Sequence, residues 1–219
     1  MCTLIVRTGQ QLTLMGVRDE FADRPWEGPG EHWPDYPGVI GGRDLKAGGT
    51  WLALHPAARR AAALLNASGI PAPETTKISR GDLALRAAYT GELPDADLTR
   101  YDPFHLVLAD LPADGARVRL FSWDGERSTV SGLPEGTSMI VNSGLDPASE
   151  RVVAYLPRFE TEVWRELITA APSADPGALI VRHELPDGRI FASLSVMEVA
   201  LAPDGVTYDF TDLTAERDG

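Results

Sequence analysis

Two β-prone runs open the chain, residues 2–7 (CTLIVR) and 12–18 (LTLMGVR), separated by Thr8, Gly9, Gln10 and Gln11. Apolar runs of this length flanking a turn-rich tetrapeptide predict a hairpin. A turn centred on Gly9 and Gln10 pairs residues whose numbers sum to about 19, which sets Cys2 beside Val17 and Arg18. Residues 21–49 are rich in Pro, Gly and Trp and keep neither a helical nor a strand period. They predict a long ordered loop of the kind that often carries function. TWLAL at 50–54 is strand-like. The run AAALLN at 61–66 is open between helix, which its alanines favour, and strand, which its shortness and flanking turns allow.

Further along, Ser79 with Asp82 resembles a helix-start capping pattern and LALRAAY continues it as a helix. Residues 104–111 and 118–123 read as strands with a hairpin turn at Asp124 and Gly125, and 138–142 is another apolar run. In FETEVWRELITAA, residues 159–171, the apolar positions Val163, Trp164, Leu167 and Ile168 recur at helical spacing, predicting an amphipathic helix. The tail returns to strands at 179–183, 189–201 and 206–210, punctuated by two PDG turns. Strands at both ends with helices between, and no internal repeat or linker, predict one α+β domain over 1–219, a sheet sandwich with helices packed outside.

Composition narrows the chemistry. A net charge of -12 without any basic stripe excludes the electrostatic footprint of nucleic-acid binding. The one cysteine excludes an intramolecular disulfide and a multi-cysteine zinc site. His32, His55, His105 and His183 lack ligand-like spacing, so no metal and no cofactor are expected. No serine sits in a GxSxG elbow. The opening MCTLIVRTGQ has no basic n-region before an apolar core, and no apolar run is long enough to span a bilayer, so a cytoplasmic protein without membrane insertion is the expectation.

Cys2 is the group with chemistry to offer. Initiator Met is normally removed before a residue this small, which leaves a thiol and a free α-amine on one residue. An α-amine with an ordinary pKa near ~7.7 to 8 accepts a thiol proton close to neutral pH. Arg18, brought alongside by the hairpin, favours thiolate over thiol.

The ordered combination MCT, GVRDEFADRPW, GGRDLKAGGTWLAL, AAALLN and a later VNSGLD resembles the NRDE (transport and Golgi organisation protein 2) family. The match is strongest over the first seventy or so residues. The signature Asn-Arg-Asp-Glu stands here as Val17-Arg18-Asp19-Glu20, without the amide of its first residue. The resemblance implies an αββα sandwich of N-terminal-nucleophile hydrolase type, similar to bile acid hydrolases and penicillin acylases that cleave non-peptide amide bonds. In that reading Cys2 attacks the amide carbonyl, its α-amine moves the proton, and Arg18 and Asp19 position amine and substrate. Asn66 and Asn142, each ending an apolar run, are the candidate oxyanion donors. Glu20, Arg24, Arg43 and Trp51 are candidate ligand contacts, the last two beside the glycine pairs at 41–42 and 48–49. The family also implies an alternative, a small-ligand or haem carrier in which an N-terminal cysteine could serve as axial ligand. A third reading, an interaction module, rests on Trp26, Trp33 and Tyr36. The partner is thus a small molecule, haem among the options, and the oligomeric state stays open.

Overall fold

The computed structural model describes residues 3–95 and 97–214. Its strands are β1 Thr3–Thr8, β2 Leu12–Phe21, β3 Trp26–Gly30, β4 Ile40–Asp44, β5 Leu52–His55 and β6 Arg60–Asn66. Helix α1 is Gly81–Thr90, followed by β7 Phe104–Asp110, β8 Arg117–Trp123, β9 Ser128–Gly132 and β10 Gly136–Ile140. Helices α2 Glu150–Thr161 and α3 Trp164–Ile168 precede β11 Arg182–Glu184, β12 Ile190–Ala202 and β13 Gly205–Asp212. The strands form two antiparallel sheets, one ordered β10-β1-β2-β12-β11 with β13 also on β12, the other ordered β3 to β9 in sequence.

Side-chain alternation explains how the sheets stack. In β1, Leu4 and Val6 point one way and join Leu12, Leu14, Leu52, Leu54, Ala63, Val107 and Leu120 in the core between the sheets. Ile5 points the other way, with Met15 and Val17, onto Phe159, Trp164, Leu167 and Ile168 of α2 and α3. On the far face of the second sheet, Ala53, Ala62, Leu106 and Leu108 pack against Leu83, Ala84, Ala87 and Ala88 of α1. The order is therefore helix, sheet, sheet, helix, an α+β sandwich whose central strands are covered on both faces and read as unbroken apolar runs.

Several expectations are corrected in detail. The opening hairpin forms, with Thr3 opposite Val17 and Leu4 opposite Gly16, one residue on from the anticipated register. The 21–49 segment is not wholly loop. It contains β3 and β4, and β3 (WEGPG) is an edge strand whose glycines and proline hide any period. The alanine-rich run is a strand because it lies between β5 and β7, where small side chains let α1 approach the sheet closely. Ser79 is not the expected cap. The N-cap of α1 is Arg80, without a side-chain cap, and Ser79 Oγ accepts instead from the Gly81 N–H at 3.2 Å. Asp82 accepts from the Tyr36 hydroxyl at 2.8 Å.

The helix expected over 159–171 is two helices. Glu162 and Val163 are extended. Trp164 folds back to donate from Nε1 to the Phe159 carbonyl at 2.9 Å, with its ring edge-on to Phe159 at 5.5 Å. Helix α2 begins nine residues before Phe159 and runs through Pro157, a residue that interrupts a helical reading of the sequence. No helix among the described residues is long and apolar enough to cross a membrane.

Candidate functional site

A cleft of about 360 Å³ opens at one end of the sandwich, where β2, the β4–β5 connection, the end of β6 and the approach to α1 converge. Its floor is set by β2. Leu12 and Leu14 face the second sheet and Met15 and Val17 face α2, so Arg18 and Asp19, next in the alternation, diverge to opposite faces.

Arg18 turns toward the second sheet and is 3% exposed. Its guanidinium lies over the Trp51 ring at 4.4 Å and Nη2 donates to Asp44 Oδ2 at 3.3 Å. Arg24 grips the same carboxylate with two nitrogens, at 2.5 and 3.1 Å. The Lys46 and Ala47 backbone N–H groups complete it at 3.0 and 2.8 Å. Partial burial opposes ionisation of Asp44, but the Arg24 hydrogen bonds, the Ala47 N–H and the charges of Arg24 and Arg18 outweigh it. They hold the carboxyl below its ordinary range. Glu20 lies 3.7 Å from Arg24 at the rim.

Asp19 turns the other way and is also 3% exposed. Its Oδ2 accepts from Arg151 Nη1 at 3.0 Å, and its Oδ1 from Ser193 Oγ at 2.7 Å. The same Arg151 nitrogen donates to Thr3 Oγ1 at 2.7 Å, and Nη2 donates to the Pro176 carbonyl at 2.9 Å. Burial pushes the Asp19 carboxyl up, against the pull of the Arg151 charge. Ser193 reaches Asp19 because β12 carries an irregularity between Ser193 and Ser195, opposite Asp19 and Arg18. Such bulges re-aim side chains next to sites.

The remaining side of the cleft is the segment before α1, contributing Lys77, Ile78, Ser79, Arg80 and Gly81, with Asp102. Lys77 Nζ is 2.7 Å from Asp102, and Arg80 Nη1 donates to the Pro103 carbonyl at 2.6 Å. This segment is seated by glycine. A Cβ on Gly49 would fall 2.4 Å from Gly81, and the Thr50 N–H donates to the Gly81 carbonyl at 3.2 Å.

Of the residues singled out in the sequence, Arg18, Asp19, Glu20, Arg24, Trp51 and Asn66 line this cleft together. Cys2 lies outside the described residues. Arg43 and Asn142 are not in the lining: Arg43 sits 3.9 Å from Glu27, and Asn142 uses its backbone carbonyl to accept from His105 Nε2 at 3.2 Å. Since a carbonyl only accepts, His105 carries its proton on Nε2 and accepts from the Ser122 hydroxyl at Nδ1, 2.8 Å away. Among the described residues no three His, Cys, Asp or Glu side chains group as a metal site.

Sequence reasoning passed over Arg151 and Ser193, which meet Asp19 from 132 and 174 residues away. It also passed over Lys77 and Asp102 in the cleft. Asp44 follows Arg43 between the glycine pairs at 41–42 and 48–49 and is a further cleft residue. Its place in an Asp-x-Lys-Ala turn, with N–H groups following the carboxylate, was a usable local signal.

A family model described as Transport and Golgi organisation 2 matches residues 1–173. No curated protein matches the chain. The matched stretch stops before β11, yet β12 pairs with β2 from Leu12 to Phe21 and carries Ser193 to Asp19.

Proposed function

Because the chain belongs to the Transport and Golgi organisation 2 family, we propose that it is an N-terminal cysteine amidohydrolase that cleaves the C–N bond of a small acylated amide held in this cleft. Residues 1–219 act in this proposal as one domain, since β12 completes the sheet that β1 and β2 begin.

The observation that carries the reading is the tie between the start of β1 and the cleft. Adjacent Cα atoms are about 3.8 Å apart across a trans peptide, so Cys2 cannot stray far from Thr3. Thr3 in turn shares one Arg151 nitrogen with Asp19, a cleft residue. Arg18, buried over Trp51, supplies a fixed positive charge on the other face of β2. A cation near a thiol favours the thiolate.

In the proposed reaction the α-amine of Cys2 takes the thiol proton and sulfur bonds to the amide carbonyl carbon. The C–N bond then breaks as the ammonium returns a proton to the departing nitrogen. Water adds to the thioester, giving its proton to the amine, and C–S cleavage releases the carboxylic acid and restores the thiol. Asn66, in the cleft lining, and Asn142, just beyond the β10 strand that pairs with β1, are the two oxyanion candidates. Glu20 and Arg24 at the rim, with Trp51 in the lining, would meet the substrate, and Arg43 would act from outside the cleft.

The test is intact mass before and after brief, substoichiometric iodoacetamide at neutral pH, with Cys2→Ser as control. Loss of Met1 with fast single labelling is expected, followed by turnover in a screen of acyl amides. Retained Met1 or a sluggish thiol overturns the mechanism. A haem titration that then shifts the Soret band in wild type but not in Cys2→Ser would favour a ligand carrier.

A further inference from the structure

Arg151 is buried in a position that its own helix does not require. It sits in the first turn of α2, where a cation is the unfavourable sign for the helix dipole, and it is 3% exposed. All three of its described hydrogen-bond partners lie outside α2: Thr3 at the start of β1, Asp19 near the end of β2, and the Pro176 carbonyl in the connection to β11. Buried ion pairs are poor sources of stability, because desolvation of both charges offsets their attraction and a well-packed apolar pair often does as well. What this pair supplies is placement. One planar guanidinium fixes the hydroxyl of Thr3 and the carboxylate of Asp19 in a single rigid fork.

Ser193 reinforces that placement from the opposite side. Its hydroxyl donates to Asp19 Oδ1 while its oxygen accepts from the Val181 N–H at 3.0 Å, so neither polar atom is left over. Asp19 is clamped from two elements, and only the Arg151 clamp also holds Thr3.

We propose that Arg151 is a positioning residue for the nucleophile: its guanidinium locks the start of β1 to Asp19, and through that lock it sets the reactivity of Cys2. This rests on the reading of Cys2 as nucleophile, but the two are tested by different quantities. Wild-type labelling reports on the nucleophile, and the difference between wild type and Arg151 variants reports on the lock. Removing the cation also takes one positive charge away from beside Thr3 and Asp19. Both changes disfavour a thiolate at residue 2.

The measurement is the pH profile of iodoacetamide labelling of the single cysteine in Arg151→Met, Arg151→Lys, Asp19→Asn and the Arg151→Met/Asp19→Asn double variant. Thermal unfolding is followed alongside. Arg151→Met should label about tenfold more slowly at neutral pH with its midpoint moved upward, a shift of the size one nearby charge produces. Arg151→Lys should recover part of the rate, and the double variant should be no slower than the slower single one, because both act through one contact. A purely structural arginine would lower the melting temperature of Arg151→Met and leave its labelling profile unmoved, which overturns the proposal. If Arg151→Met does not fold, Arg151→Lys decides: a profile identical to wild type overturns the proposal, and a rate between wild type and Asp19→Asn supports it.

Discussion

Asp44 shows how one carboxylate can organise a rim made of loop. It accepts from Arg18, from two nitrogens of Arg24 and from two backbone N–H groups, so neutralising it weakens charge-assisted contacts to two guanidiniums, one of them 3% exposed. Asp44→Asn should therefore destabilise the fold by about 2 kcal/mol at neutral pH, by urea unfolding, since a charge-assisted contact is lost in a half-buried setting. The carboxyl is held below its ordinary range in the folded state. Its stabilisation is thus fully present above the unfolded value near ~3.9 and fades as pH falls through that value toward the depressed folded one. The gap between wild type and Asp44→Asn should close over that acidic window. A constant gap down to low pH would show that Asp44 works through its shape and not its charge.

At the scale of elements, the cleft depends on how closely two backbones approach. Gly49 and Gly81 seat the start of α1 on the β4–β5 connection, and the segment ending at Gly81 carries Lys77 and Arg80. Gly49→Ala must push α1 outward, because the new methyl would meet the Gly81 backbone, which has no flexible end to yield. A loss of about 1 to 3 kcal/mol is expected, the range of overpacking a closed contact, measured by thermal or urea unfolding. Gly48→Ala is the contrasting variant. Its φ of +75° brings strain although nothing lies within 4 Å, so it should be destabilised without moving the α1 segment, as amide chemical shifts along 77–90 would report. The elements also show where local pattern stops being informative. β1 and β2 announce themselves because both faces are apolar, whereas β3 (WEGPG) is an edge strand with glycine or proline at three of its five positions, a strand only because β4 lies beside it.

Across the whole molecule, the two sheets are joined by apolar packing and by at least one polar bridge. His105 on β7 donates to the Asn142 carbonyl just beyond β10, and Ser122 on β8 fixes its ring. Burial holds the imidazole below its usual pKa, despite the opposing hydrogen bond to Asn142. The folded state thus keeps His105 neutral where the unfolded chain would charge it. Its contribution is complete above the unfolded value near ~6.5 and is lost as pH falls through the depressed folded value. Wild-type stability should drop across that mildly acidic window more steeply than that of His105→Gln, with denaturant midpoints as the readout. Parallel slopes would show that the bridge does not titrate there.

The sequence by itself determined the opening hairpin, the α+β class and the layering, because apolar runs must be buried on both faces and short helices must cover what the sheets leave exposed. It also brought forward Arg18, Asp19, Glu20, Arg24, Trp51 and Asn66, which share the cleft, since most of them fall close together in the chain. Only the tertiary structure decided that Arg18 and Asp19 serve opposite faces, that Ala61 to Asn66 is strand, and that α2 ends at a break before Trp164. It alone brought Arg151 and Ser193 to Asp19. Contacts across 132 and 174 residues leave no local signature, because they are set by which layers pack together and not by any spacing along the chain.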